Sequence, residues 1–390
     1  MISLNQAAKR FVMPAYRAVY KTLPPPLQEG LGNLEGYVRG LHNSRHLPYW
    51  ERRELAVEKP RVRLGFVGAG RYAQNHLKVL SQLRNVELSA LLTTGGPRAQ
   101  AVAAEYGISR VLSDRETFFA QPDLDAFVVV VPPEFLKDLS LAGLRTGRPV
   151  LLEKPPGVTA ADAAELVACA AEHGTFGMVC MNRRFFSVLE HGLAYLASRG
   201  PIKAMTIEIP QQVTLDRHLG RVSAFDYEHY FMRMSIHGVD LARYVLGEPI
   251  AVHSLAFQNR EFHSASARFV SVLEFPGHVV ATITEAWDSP AVWRIKVIAE
   301  EGWLELEPLE RGYVARAATG LHGGVHKIPI RADPVDSEFR AGVYAQDLAF
   351  VEAVRAKRAP SLPACLLPDA HRTMVVMERI LGGTLKSAAP

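Results

Sequence analysis

One short stretch constrains this chain more than any other: Gly65-Phe66-Val67-Gly68-Ala69-Gly70-Arg71-Tyr72-Ala73, where the apolar run Val62–Val67 ends in closely spaced glycines and a helical pattern begins. The GxGxxA spacing at a strand-to-helix junction is a dinucleotide fingerprint, and each small residue has a physical task. Gly68 permits a tight turn, Gly70 lets backbone approach a pyrophosphate, and Ala73 lets the helix pack closely on the strand. The unpaired N–H groups at the start of that helix suit an anion. Arg71 and Tyr72, inside the same loop, join Gly68, Gly70 and Ala73 as cofactor-contacting candidates.

Beyond the loop the chain repeats the strand–helix alternation of βαβ units. Buried strands are expected at Val62–Val67, Val86–Leu92, Ala126–Val131, Val150–Glu153 and Phe176–Cys180, with helices at Tyr72–Leu83, Arg98–Tyr106, Phe135–Arg145 and Ala160–Glu172. Residues 61–182 therefore read as a doubly wound Rossmann domain with a parallel sheet. After Asn182-Arg183-Arg184 the pattern changes to longer alternating runs at 202–213, 250–258, 266–275, 279–287, 291–299 and 303–308. Alternation means one buried and one exposed face, so residues 183–390 are expected to form an α+β domain with an open, mainly antiparallel sheet covered on one side. Its free face suits association into a homodimer or homotetramer, and late helices are expected at Val343–Ala356 and Pro368–Ile380. Residues 1–60, broken by Pro14, Pro24-Pro25-Pro26 and several glycines, read as an accessory arm.

Charge argues against a nucleic-acid partner. The net charge is +4, and residues 1–60 alone hold nine Lys/Arg against five Asp/Glu, which leaves the remainder neutral and without a basic stripe. A hydrophobic fraction of 48% with 22% charged residues fits a soluble globule. Neither a signal peptide nor an apolar run of transmembrane length is recognisable, so cytoplasm is the expected compartment. Cys169, Cys180 and Cys365 form no CxxC pair and read as packing residues; no metal site is expected.

Specificity for the ribose is read from the end of the second strand, about twenty residues beyond the loop, where an NAD site wants an acid. Thr93-Thr94-Gly95-Gly96 stands there, with Arg98 close behind. Donors without a carboxylate favour NADP over NAD, although the hydroxyls could instead cap the helix beginning near Pro97. Pro132, just past the fourth strand, and Glu153 complete the cofactor candidates. Glu153-Lys154-Pro155 closes the fifth strand at the carboxyl edge of the sheet, where such folds place their ligand crevice. A half-buried lysine there can hold the reacting oxygen and pass a proton; a plain Lys154–Glu153 pair remains the alternative. Arg183 is a further substrate-contacting candidate.

Taken together, the GxGxxA loop, Leu151–Pro155 (LLEKP), Asn182–Phe185 (NRRF) and Ile236–Pro249 (IHGVDLARYVLGEP) make the chain resemble the glucose–fructose oxidoreductase / inositol dehydrogenase / rhizopine-catabolism (Gfo/Idh/MocA) family, from about Arg61 to Ala388. The resemblance implies NAD or NADP as cofactor and hydride transfer at a sugar or cyclitol carbon. It also implies Lys154 as the family's lysine, His237 as general base, and Asp240, three residues on, as the acid one helical turn later. Two departures qualify the transfer. Arg233 stands four residues before His237, where many relatives carry a carboxylate; it could bind a substrate anion, such as a uronic acid or nucleotide sugar, or pair with Asp226, Glu228 or Asp240. Leu136 replaces a histidine that is common after the fourth strand. The primary expectation is a dehydrogenase. The alternatives are a net non-redox elimination with recycled cofactor, and a non-catalytic dinucleotide-binding sensor or scaffold.

Overall fold

The computed structural model describes residues 60–220, 223–258, 268–317 and 324–387. The arm expected at 1–60 lies outside the described residues, apart from Pro60. Among the described residues sixteen strands fall into two sheets. In the first are β1 (Val62–Val67), β2 (Val86–Leu92), β3 (Arg110–Leu112), β4 (Ala126–Val129), β5 (Val150–Leu152) and β6 (Gly177–Val179). In the second are β7 (Ile202–Gln211), β8 (Ala251–Gln258), β9 (Arg268–Phe275), β10 (Val279–Trp287), β11 (Arg294–Ala299), β12 (Gly302–Leu306), β13 (Gly312–Ala317) and β14 (Val325–Ile330). The last two strands, β15 (Cys365–Leu366) and β16 (Thr384–Ser387), return one to each sheet.

The first sheet runs β15-β6-β5-β4-β1-β2-β3, with β1 to β6 parallel and β15 antiparallel to β6. Its strands are nearly continuous buried runs, as a sheet covered on both faces requires: β4 is buried at every position. Strand order reverses beside β1, with β2 on one flank and β4 on the other, and a crevice opens outside the carboxyl ends of strands at such a switch point. β3, only three residues long, carries too little periodicity to be read from sequence. Cys365–Leu366, late in the chain, crosses back to this sheet and pairs with Met178–Val179.

The second sheet is β14-β13-β12-β11-β7-β10-β9-β8-β16, mainly antiparallel, with β7–β10 and β8–β16 parallel. β11 alternates half-buried and buried residues throughout, which is the signature of one covered face. The helix Ile236–Leu246 lies on that face. Gly238 makes the close approach possible, since a Cβ there would come within 2.6 Å of Ile209 Cδ1. The edge strands β14 and β16 and the neighbouring β13 were not expected. β14 is largely exposed and contains Pro329, both typical of an edge. The helix Leu367–Leu381 packs against the helices Ala160–Glu172 and Ile236–Leu246, so it joins the two layers through a buried stripe that includes Ala370, Thr373, Met374 and Met377.

Candidate active site

At the switch point the Gly68 N–H donates to the Leu92 carbonyl at 2.9 Å, which turns the chain sharply off β1. Gly68 has φ +106, and a Cβ there would sit 2.1 Å from the Val130 carbonyl oxygen, so no larger residue fits. At Gly70 a Cβ would meet nothing within 4 Å, which leaves the backbone open to a ligand. Ala73 is fully buried beneath the helix it starts. These are the features that close approach of a pyrophosphate requires.

The loop forms one wall of a crevice of about 1360 Å³. Gly68, Gly70, Arg71, Tyr72, Ala73, Thr93, Thr94, Pro132, Glu153, Lys154, Arg183, Arg233 and His237 all line it. Two sequence-named residues do not. Arg98 is exposed on the helix Pro97–Glu105 and is not among the residues that line the crevice. Asp240 is the other. It is buried and bidentate to Arg184, with Nε at 2.7 Å and Nη2 at 2.5 Å, and also accepts from the Thr373 hydroxyl at 3.3 Å. Arg184 in turn meets Asp369 at 2.7 Å. The acid one turn after His237 therefore fastens the NRRF turn to the helix Leu367–Leu381 and does not line the crevice.

Lys154 is held from two sides. Its N–H donates to Glu153 Oε2 at 3.1 Å, and its Nζ donates to the Arg233 carbonyl at 2.9 Å. Burial lowers the Nζ pKa; Glu153 opposes this, and nearby Arg233, Arg183 and Arg340 reinforce it, bringing it to about 8. Glu153 is itself gripped by His76 Nε2 at 3.1 Å, while His76 Nδ1 faces both Asp347 oxygens at 3.0 Å. Burial disfavours a charged His76, but Asp347 and Glu153 outweigh it and raise its pKa to about 10. His76, Glu153 and Cys180 place ligand atoms within 4.8 Å of one another. An imidazolium whose nitrogens both face carboxylates offers no lone pair to a metal.

His237 stands opposite in charge state. Burial, then the cations Arg183, Lys154 and Arg340, hold its pKa well below the ordinary histidine value, so the ring is neutral. Its Nδ1 is buried without a hydrogen bond among the described residues. Arg233 reaches the crevice, as its i, i+4 relation to His237 implies, yet its Nε pairs with Asp226 at 3.4 Å. The carboxylate pairing weighed as the alternative is thus present. Leu136 is buried in the core and the exposed Phe135 lines the crevice instead.

Arg183 stacks on Trp293 at 3.6 Å from the ring centroid, and its buried Nη1 has no hydrogen bond among the described residues. Arg340 was missed by the sequence reading and also lines the crevice. It arrives through tertiary bonds: Asn182 Nδ2 donates to the Ala341 carbonyl, while Asp336 accepts from the Ser187 and Gly342 N–H groups. Ser113, Arg115, Gln211, Asp216, Tyr230 and Glu310 were missed as well. They occupy loops, short helices and the end of β7, without a motif.

Two family models match the chain: the NAD-binding Rossmann fold of the GFO/IDH/MocA oxidoreductase family over residues 62–180, and the GFO/IDH/MocA C-terminal domain over residues 200–305. The chain belongs to the Gfo/Idh/MocA oxidoreductase family. Among family relatives, inositol 2-dehydrogenase of Rhizobium meliloti is 29% identical over 200 residues, covering 50% of this chain and 58% of the relative. The 4-carboxy-2-hydroxymuconate-6-semialdehyde dehydrogenase of Sphingobium is 22% identical over 81% of this chain and 98% of its own length. Matches thus span little more than half of some curated relatives and nearly all of another. An Agrobacterium radiobacter oxidoreductase, solved with NAD+, L-tartaric acid and magnesium, shares the fold with a TM-score of 0.69 at 16% identity, covering 83% of this chain and 96% of that one. Among the described residues no helix is long and apolar enough to cross a membrane.

Proposed function

We propose that this family member transfers hydride between a nicotinamide and a hydroxyl-bearing carbon of a sugar-like or cyclitol substrate that also carries an acidic group. The observation that carries the reading is a neutral histidine and a lysine of lowered pKa on the walls of one crevice with a dinucleotide loop. When bound, the nicotinamide supplies the hydride acceptor or donor. His237 is uncharged near neutral pH and lines the crevice, so it takes the hydroxyl proton. Lys154 Nζ, already oriented by the Arg233 carbonyl, donates to the oxygen as negative charge develops on it.

The acidic group is the finer part of the proposal. Arg233 supported it from sequence, but its pairing with Asp226 moves the argument to Arg183, whose stacked, incompletely bonded fork suits a carboxylate or phosphate, with Arg340 on the same crevice. The family relatives include both a cyclitol dehydrogenase and a dehydrogenase of a carboxylated semialdehyde. The test is a panel of cyclitols, aldoses and their uronic and aldonic acids, scored by absorbance of reduced cofactor. Lys154→Ala is expected to leave nucleotide affinity near wild type and to lower turnover by at least ~10²-fold, the scale for losing a general acid–base group. Unchanged turnover would remove Lys154 from the chemistry, and equal activity on neutral and acidic members would remove the anion subsite.

A further inference from the structure

The ribose end of the crevice is built from two adjacent strand ends. β2 and β3 are parallel neighbours in register, with Leu91 opposite Val111 and Leu92 opposite Leu112, and the Thr93 N–H donates to the Leu112 carbonyl at 3.0 Å. The segments leaving the two strands therefore start about one strand spacing, ~4.8 Å, apart. Thr93 and Thr94 come from one, Ser113 and Arg115 from the other, and all four line the crevice. Gly95 and Gly96, at φ +90 and +92 with nothing within 4 Å of a Cβ, take the chain onward without filling the space.

No carboxylate from either segment lines this wall. Asp114 is the acid nearest to it, but it is committed to its own helix: Oδ2 accepts from the Thr117 hydroxyl at 2.6 Å and the Thr117 N–H at 2.7 Å. Those bonds, with the nearby Arg115 adding to them, hold the Asp114 carboxyl below its ordinary pKa, and Asp114 does not line the crevice. Arg115 is exposed, and among the described residues no hydrogen bond or ion pair engages its guanidinium. A ribose diol needs an acceptor at this place, whereas three hydroxyls and an exposed guanidinium without a hydrogen bond offer donors and positive charge.

We propose that Arg115, with Thr93, Thr94 and Ser113, forms a 2′-phosphate subsite that makes this chain selective for NADP over NAD. The proposal rests on the reading of the Gly68–Ala73 loop as a dinucleotide site and adds the residue that decides between the two nucleotides. Arg115 lines the crevice, and Arg98, which the sequence pointed to, does not.

The test is calorimetric titration of the full chain with NADP and with NAD, without substrate. The expected result is NADP binding at least about tenfold tighter than NAD, as for a charge-assisted contact. Arg115→Ala is expected to weaken NADP by roughly ten- to a hundredfold while NAD stays within about twofold. Raising ionic strength should narrow the wild-type preference, since the subsite is exposed and screened. Thr93→Asp, which brings an acceptor and repels a phosphate, should invert the preference. Equal wild-type affinities, or an Arg115→Ala variant that weakens both nucleotides alike, would overturn the proposal. Binding of neither nucleotide would overturn the dinucleotide reading itself, and so the two failures are told apart.

Discussion

At the nucleotide end of the crevice the wall is made largely of backbone. Gly68, Gly70 and Ala73 act through what they lack, and they stand within six consecutive positions. At the other end the wall is made of charged side chains from separate parts of the chain: Lys154 from the end of β5, Arg183 from the turn after β6, Arg233 and His237 from two successive helices, Arg340 from a loop beyond the second sheet. The first kind of wall is set by room at the backbone, closed at Gly68 by the Val130 carbonyl and left open at Gly70. The second depends on buried ion pairs that hold remote segments together. Single substitutions should therefore fail differently at the two ends.

Asp240→Ala should have the largest effect. It leaves Arg184 buried without its bidentate partner, and breaking such a pair costs about 3–5 kcal/mol. Calorimetric unfolding should show a large drop in Tm, while the fraction that remains folded keeps its nucleotide affinity. A variant of normal stability with lost turnover would return Asp240 to the chemistry and break the contrast.

Gly68→Ala should come next, at about 2–3 kcal/mol, because strain at positive φ adds to the overlap with the fixed Val130 carbonyl. Gly70→Ala is its control: stability should change by only a few tenths of a kcal/mol in open space, while nucleotide affinity falls. If both variants unfolded alike, the loop would not present its backbone to a ligand.

The last effect is a slope, spread over several pH units. His76, raised from the ordinary 6.5 to about 10, contributes stability that is fully present below pH ~6.5 and is lost as pH rises through about 10. Unfolding midpoints measured across that window should decline with pH by at most about 1.4 kcal/mol per unit, and His76→Gln should flatten the decline. An unchanged slope in the variant would show that His76 is not charged between Asp347 and Glu153.

Legibility divided along the same line. The strands Val62–Val67, Val86–Leu92 and Val279–Trp287 and the helices Ala160–Glu172 and Val343–Ala356 were readable because burial imposes its period on the chain itself. The exposed edge strand β14 and the three-residue β3 carry no such period. Asp240 shows the limit of spacing: i and i+3 place two side chains near one another on a helix, yet Asp240 is bonded to Arg184 while His237 lines the crevice. Arg98 shows the same limit, since nearness in sequence to the end of β2 says nothing about which way its helix turns it.

By itself the sequence determined the two-sheet plan, the family and the nucleotide loop, because each rests on contiguous residues whose period or size has a local physical meaning. Only the tertiary structure decided which cations face the crevice. Asp226 pairs with Arg233, Asp240 and Asp369 pair with Arg184, and Arg183, Arg340 and Arg115 line the crevice together with Arg233. That choice depends on long-range pairings such as Arg184 with Asp240 and Asn182 with Ala341, 56 and 159 residues apart in sequence. An ion pair depends on distance in space, which the order of residues along the chain does not specify.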